Sequence, residues 1–468
     1  MAFELERRVT LSRYLLRVND AGAEPPQETG LLCNSWSGKH HSEMRWWHQA
    51  HWALWGNANL LARSDAFYFD LLPNATSYAA SQGYPGAHWP KETAAVSNRA
   101  PPPTGAIDVP WLGLDRAPWP FPGQPTGSLL AWESPQVDNA LILWQQPHLV
   151  ALPELQRRAA NASGGHAAAL AEMRRLAPLV LASADYLAAR VYFNESDGAR
   201  GGSGGGGGSG ASGSANSSEP AGGAWWLGPP LVGGQETGDP LRTYNPTFEL
   251  VYLAAMLDVA AEWRAVLGLP ANPAYERIAG NLAALPTDPA SPPTDAPLYV
   301  FDRFCVCQYL RGGTRNSTCR AEWVPPGGSN CPALSAHPTT VAPFGTWNGL
   351  SRGERYGVSP ASANATLRAV WGSWGEWGGA WGWDDAVLAQ AMARLGWSAS
   401  TIVEGPLMDP KFPFYRSGQT LCCPTYLPGN GGLLLTIAML AGGSENSPPL
   451  HFPPEWGVRA EGFNVKYF

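Results

Sequence analysis

The sequence has few charged residues and no strong excess of either sign. Charged side chains make up 15% of its 468 residues, and the formal net charge is −7. No basic stripe of the kind that binds a nucleic-acid backbone is present, so we expect no nucleic-acid partner. Long apolar runs are also missing, because the longest, Leu433 to Ala441, is far shorter than the roughly 18 residues of a membrane span. We therefore expect no insertion into a membrane.

A signal peptide is missing from the N-terminus. Arg7, Arg8, Arg13 and Arg17 interrupt its apolar residues, and no small-residue cleavage site follows. Six N-x-S/T sequons nevertheless occur, at Asn74, Asn161, Asn194, Asn216, Asn316 and Asn364. Such sequons are glycosylated in secreted proteins. We therefore expect a glycoprotein of the secretory route, in a chain that is truncated at its N-terminus.

Motifs for metals and cofactors are missing as well. His48 and His51 could share a helix face, but no H-E-x-x-H pattern accompanies them. Four cysteines cluster at Cys305, Cys307, Cys319 and Cys331 without the C-x2-C pairs of a zinc site. In a secreted protein they favour disulfides, with the pairing open, that would stabilise this region by roughly 2–4 kcal/mol. No metal, nucleotide, flavin or haem is expected.

What the sequence does have is helical periodicity. Eleven helices are predicted, at residues 4–19, 43–62, 65–81, 139–160, 167–193, 245–268, 273–284, 363–376, 384–396, 397–408 and 430–442. The clearest is 245–268, for which Asn245 supplies a capping side chain and Pro246 a first residue that needs no backbone donor. About a dozen antiparallel helices with long loops at one end predict an all-α fold, a barrel of helical hairpins.

The predicted barrel occupies residues 1–445. Within it, the Gly/Ser-rich stretch 197–223 has almost no apolar side chain and is predicted to be a disordered, solvated insertion. Residues 446–468 form a C-terminal extension that could begin a β segment.

The densest cluster of aromatic and polar residues is GKHHSEMRWWHQAHWALWGN, residues 38–57. Trp47, His51 and Trp55 recur at the spacing of an ordinary core stripe. Glu43 lies on the same face one turn earlier, and a carboxylate is costly to bury unless something polar meets it. A sugar would meet both, since its C–H faces pack on indoles and its hydroxyls bind polar groups. Similar mixtures recur at 82–92, 141–155 and 371–385, which predicts an aromatic pocket with a few polar groups.

The chain resembles the six-hairpin glycosidase superfamily, in particular proteins related to the acid trehalase and maltose phosphorylase family. The resemblance runs from about Leu5 to Leu440 through motifs in this order: NSWSGKHHSEMRWWHQAHWALW, QGYPGAHWPK, LWQQPH, LGPPLVGGQE with NPTFELVY, GWDD and YLPGNGGLL. It implies an (α/α)6 barrel with the active site at its wide end, and an inverting mechanism. It also implies that Glu236 is the general acid and, from the related inverting α-L-fucosidase family, that Asp384 is the base. Glu43 takes the place of a base-assisting residue.

These considerations predict an inverting glycoside hydrolase that acts on an oligosaccharide or polysaccharide. The residues expected to bind the sugar are Trp47, His48, Trp89, Lys91, Trp144, Gln145, Gln146, His148, Asn245, Trp383 and Asn430. Two alternatives stay open. One is a phosphate-dependent disaccharide phosphorylase, in which Lys39, Lys91 or Arg45 would bind phosphate. The other is a carbohydrate-binding protein without catalytic activity.

Overall fold

Helices account for 60% of the residues that the computed structural model describes, and strands are few and short. The described residues are 1–30, 40–93, 143–195, 223–234, 243–288, 296–301, 337–347, 353–374, 381–410, 413–420, 425–445, 448–450 and 452–467. The prediction of a mainly helical protein is therefore confirmed. No helix among these residues combines the length and apolar character that crossing a membrane requires.

Fourteen α-helices are found in the described part of the chain. They are α1 (Ala2–Asp20), α2 (Arg45–Gln49), α3 (His51–Leu54), α4 (Ala58–Leu61), α5 (Asp65–Ser81), α6 (His148–Ala189), α7 (Thr247–Val266), α8 (Pro273–Gly280), α9 (Ala342–Gly345), α10 (Gly353–Tyr356), α11 (Pro360–Ser373), α12 (Asp384–Arg394), α13 (Ala399–Glu404) and α14 (Leu427–Gly442). Turns of 3-10 helix occur at Ala62–Ser64, Thr339–Val341, Pro406–Met408 and Pro454–Trp456.

The helix prediction for 65–81 is confirmed at both ends. That for 43–62 is wrong in its continuity, because the region is divided into α2, α3 and α4, and Gly56 lies between the last two with a φ of 71°. The predicted helices 139–160 and 167–193 are joined as α6, which kinks at Gly165 where φ is 69° and ψ is −166°. A residue with a side chain rarely adopts such a φ, so the bend falls on glycine.

Two antiparallel strand pairs accompany the helices. β1 (His40–His41) pairs with β2 (Glu92–Thr93), which brings the residue before β2, Lys91, beside the start of α2. β3 (Val191–Asn194) pairs with β4 (Ala224–Leu227). The Gly/Ser-rich insertion connects β3 to β4, and all of it except Gly223 lies outside the described residues.

The helices contact one another in a closed order. The α2–α3 segment packs on α6, α6 on α7, α7 on α9, α9 on α12, α12 on α14, and α14 again on α2 and α3. Further helices pack onto members of this order: α1 onto α14, α5 onto α6, α8 onto α7, and both α11 and α13 onto α12.

Aromatic side chains fill part of the core between these helices. Trp46 and Trp347 have ring centroids 4.5 Å apart, and Tyr252 stacks on Trp347. Tyr467 reaches the same region from the C-terminal extension, fully buried, with its hydroxyl donating to Gln390 Oε1 at 3.2 Å. The described tail residues 452–467 therefore end in the core, with one 3-10 turn and one β-bridge on the way.

The glycine-rich start of α14 reflects a close helix approach. A Cβ atom added at Gly431 would lie 1.7 Å from the carbonyl oxygen of Trp47 on α2. Any side chain here would therefore push α14 away from α2, and so the motif YLPGNGGLL serves the packing of these two helices.

Candidate active site

The first turns of several helices in the closed order meet around Trp383, the residue before α12. The ring of Trp47, in α2, lies 5.3 Å from that of Trp383, and the ring of Trp144, just before α6, lies 5.5 Å from it. Phe248 of α7 lies 5.9 Å from Trp144. Three indoles predicted to bind a sugar are thus in one aromatic cluster, which we call the tryptophan cluster (Trp47, Trp144 and Trp383).

Two members of the tryptophan cluster carry a polar group that the described protein does not use. Trp47 and Trp144 are each 1% exposed, and neither indole Nε1–H has a hydrogen-bond partner among the described residues. Buried indole N–H groups usually find an acceptor, and an unpaired donor costs about 1–3 kcal/mol. These two donors are therefore available to an oxygen atom of a bound molecule.

Asp384 is the carboxylate beside the cluster, and it is fully buried. It lies at the first residue of α12, where the helix dipole favours a negative charge. Its Oδ2 accepts the backbone N–H of Trp381 at 2.7 Å. Both of its oxygens lie within hydrogen-bond distance of His337 Nδ1, at 3.0 and 3.1 Å. His337 was absent from the predicted site, because no local motif surrounds it and its partner is remote in sequence.

Glu43 is the second buried carboxylate of the region, and is 1% exposed. Its Oε2 lies 3.0 Å from Lys91 Nζ and 3.4 Å from His41 Nδ1. The other ring nitrogen of His41, Nε2, lies 4.0 Å from Glu28 Oε2. Glu43 and Lys91, both predicted site residues, are therefore a buried ion pair within a chain of ionisable side chains.

His148 connects this series of ionisable side chains to the helix core. Its Nε2 lies 3.1 Å from the carbonyl oxygen of Glu43, and its Nδ1 lies 2.6 Å from the hydroxyl of Tyr252. Burial lowers the pKa of His148 to about 3, so the ring is neutral near pH 7. A carbonyl only accepts, so Nε2 carries the proton and Nδ1 accepts from Tyr252. Both ring nitrogens are thus occupied, Nε2 by the backbone of Glu43 and Nδ1 by the hydroxyl of Tyr252.

Three other predicted sugar-binding residues form a clamp with one another. The backbone N–H of Trp89 donates to Gln146 Oε1 at 2.9 Å, and Gln146 Nε2 donates to the carbonyl of Trp89 at 2.5 Å. Gln145 Nε2 approaches the same carbonyl at 3.3 Å, while the indole of Trp89 donates to Ser183. This clamp holds the chain that leads to Lys91 against the start of α6.

His48 and Asn430 are also held by internal partners. The ring of His48 contacts Asp20 Oδ2 at 2.6 Å and the carbonyl of Glu28 at 2.9 Å. The side chain of Asn430 accepts from Thr420 and donates to Ser12 and to the carbonyl of Gly418. In the described structure these two side chains tie distant segments together.

Asn245 does not cap α7, so that part of the prediction is wrong. Its Oδ1 accepts the backbone N–H of Leu227 at 2.8 Å, its own N–H donates to the carbonyl of Leu227, and Pro246 is the cap residue. Asn245 also has a φ of 52°, a conformation that asparagine tolerates better than most residues. It therefore fastens the chain to β4, and its buried Nδ2 has no partner among the described residues.

The predicted general acid, Glu236, lies outside the described residues, so the structure does not define the distance between its carboxyl group and that of Asp384. The chain is described as far as Gly234, whose backbone N–H donates to Glu249 Oε1. Glu249 follows Phe248, the residue that contacts Trp144. The last described residue before Glu236 is thus fastened to the start of α7, which borders the tryptophan cluster.

No group of three or more histidine, cysteine, aspartate or glutamate side chains within the described ranges is arranged to hold a metal ion. No protein-family model and no curated protein matches the chain.

Proposed function

We propose that this chain is an inverting glycoside hydrolase built on an (α/α)6 barrel. The closed order of helix contacts supports the barrel. With α2 and α3 counted as one, six elements follow each other in that order among the described residues, and other helices pack behind α14, α6, α7 and α12. An inner ring of helices with an outer layer is the arrangement that such a barrel requires.

The observation that carries the proposed activity is a pair of indole donors that have no acceptor among the described residues and lie beside a buried carboxylate. Trp47 and Trp144 offer apolar ring surface and these N–H groups, and Asp384 adjoins Trp383 in the same cluster. A ligand that fits has apolar faces for indole contact and many oxygen atoms for the donors. Among common biological molecules, a sugar has both properties.

The proposed roles follow the chemistry of glycosidic cleavage. Glu236 protonates the leaving oxygen, and Asp384 removes a proton from the water that attacks the opposite side of the ring. Glu43, with Lys91 as its partner at 3.0 Å, assists from the start of α2. An inverting pair of carboxyl groups is separated by roughly 6.5–9.5 Å to leave room for this water.

Of the three cations proposed for phosphorolysis, Arg45 and Lys91 are already paired within the protein. Arg45 donates to Gln49, Ser64 and Asp65, and Lys91 pairs with Glu43. Lys39 lies outside the described residues. We therefore favour water as the attacking molecule, and we expect turnover in phosphate-free buffer to equal turnover in phosphate.

The variant Glu236→Gln tests the proposal. On a substrate found by screening a panel of glycosides, we expect its kcat/KM to fall by about 10²–10⁴-fold, because the acid is lost while the side-chain shape is kept. NMR should show that the wild-type protein releases a sugar of inverted anomeric configuration. Glu455→Gln, at an exposed position, is the matched control.

Activity of Glu236→Gln within tenfold of wild type would remove this residue from the acid role. Binding of glycans without turnover of any of them would instead establish a carbohydrate-binding protein.

A further inference from the structure

The contact between His337 and Asp384 is one that the proposed mechanism does not use. His337 Nδ1 lies 3.0 Å from Oδ1 and 3.1 Å from Oδ2 of Asp384, so a single ring nitrogen faces both carboxylate oxygens. His337 is 6% exposed, and its ring stacks on Trp383 with the centroids 4.4 Å apart. The imidazole is therefore held in place by the same indole that centres the tryptophan cluster.

The direction of this hydrogen bond follows from the chemistry of the partners. A carboxylate only accepts hydrogen bonds, so His337 Nδ1 carries a hydrogen and is the hydrogen-bond donor. The backbone N–H of Trp381 donates to Oδ2 from a second direction, at 2.7 Å. Two donors from two separate segments of the chain thus fix the orientation of Asp384.

We propose that His337 is a positioning residue for Asp384: it aims the carboxylate so that it takes a proton from the attacking water. This inference rests on the proposed hydrolase function. His337 acts through Asp384 and needs no contact with the substrate. Groups that orient a reacting residue through a hydrogen bond commonly change activity by about 10- to 100-fold when they are removed.

The pH dependence of the reaction should report this role. The His337 N–H donates to the charged form of the Asp384 carboxylate, so its loss should disfavour that form. The acid limb of kcat/KM should then move to higher pH. The described ionisable groups on the segments around the tryptophan cluster are Glu249 on α7, Glu43 before α2 with its partner Lys91 before β2, and Asp385, which lines a separate small cavity with Pro406 and Leu407.

Two substitutions separate positioning from packing. His337→Phe keeps an aromatic ring against Trp383 but removes the N–H donor, whereas His337→Asn removes the ring but keeps an N–H close to the place of Nδ1. If His337 positions Asp384, we expect His337→Phe to lose about 10- to 100-fold in kcat with KM within a few fold, and its acid limb to move up. We expect His337→Asn to recover part of the kcat and to keep the wild-type limb.

A packing role predicts the reverse, with His337→Phe near wild type and His337→Asn impaired, and that result would overturn the inference. His88→Asn is the matched control, because His88 is also a buried histidine stacked on aromatic rings, those of Tyr78 and Tyr186. We expect it to lower thermal stability without moving the pH profile.

Failure of the inference and failure of the proposed function give different results. If the wild-type protein turns over no glycoside in the panel, the proposed function fails, and the role of His337 fails with it. If the wild type is active, Asp384→Asn is inactive and His337→Phe retains the wild-type kcat and acid limb, only the inference is overturned.

Discussion

Buried carboxylates in the bodies of the helices are held differently from those at the helix starts beside the tryptophan cluster. In α6, Glu154 accepts hydrogen bonds at 2.6–2.8 Å from Arg157 and Arg158. Asp258, in the body of α7, is likewise bound by Arg355. Burial by itself would raise the pKa of Glu154, but the hydrogen bond from Arg157 and the charges of both arginines outweigh it and lower that pKa. These carboxylates are parts of the scaffold, each held by arginine.

At the helix starts beside the tryptophan cluster, the partners are of another kind. Asp384 is held by His337 and by the backbone N–H of Trp381. Glu43 is paired with Lys91. Arginine remains charged at any pH that a protein meets, whereas histidine and lysine can change their protonation state. The comparison teaches that arginine fixes a buried charge in the scaffold, while the helix starts keep carboxylates in surroundings that can adjust to a reaction.

The largest expected effect is that of Asp384→Asn. This change keeps the size of the side chain and an oxygen for the His337 and Trp381 donors, so we expect the free energy of unfolding to stay within about 1 kcal/mol of wild type. Loss of the proposed base should lower kcat by about 10²–10⁴-fold. Steady-state kinetics and urea unfolding measure the two quantities, and a stable variant with kcat within tenfold of wild type would break the comparison.

The next largest effect is that of Glu154→Gln. In contrast to Asp384→Asn, we expect this change to lower stability and to leave kcat nearly unchanged. The change leaves Arg157 and Arg158 without their buried anion, and breaking such a pair costs about 3–5 kcal/mol of stability. The protein that remains folded should keep a kcat within a few fold of wild type. Urea denaturation checks the stability and active-site-normalised rates check the activity. An unchanged unfolding midpoint would contradict a scaffold role.

The smallest expected effect concerns two buried indoles, one at the candidate site and one in the scaffold. Trp144→Phe removes an N–H that has no partner in the described protein, so stability should fall only through the poorer packing of the smaller ring. A lost hydrogen bond to substrate should raise KM by up to about tenfold. The control is Trp263→Phe, which removes a 2.8 Å hydrogen bond to Glu154 and should lower stability while KM stays the same. Equal KM values for Trp144→Phe and wild type would exclude the indole as a sugar donor.

The features predictable from the sequence are those that depend on local chemistry. The amphipathic pattern at 65–81 predicts α5 with both ends correct. The starts of α8 and α11 carry the expected signals, a capping Asn272 or Ser359 followed by proline. The break at Gly56 was missed, because a periodic apolar pattern continues across a single glycine. The predicted break between 160 and 167 contains the kink at Gly165, although the helix resumes there as part of α6.

The candidate site was less predictable than the helices. Mixed aromatic and polar composition marked Trp47, Trp144 and Trp383, whose rings do meet in the structure. The same composition marked His48 and Asn430, but their polar atoms are satisfied by internal partners. Composition shows that a polar group is present and does not show what it bonds.

The sequence by itself determined that the protein is mainly helical and where most of its helices run, because apolar periodicity, caps and prolines act within a few residues. Only the tertiary structure decided which buried polar groups found a partner. His337 and Asp384 are 47 residues apart in the chain, and Trp89 and Gln146 are 57 apart. Hydrogen bonds over such separations depend on how the helices pack, and no local pattern in the chain specifies them.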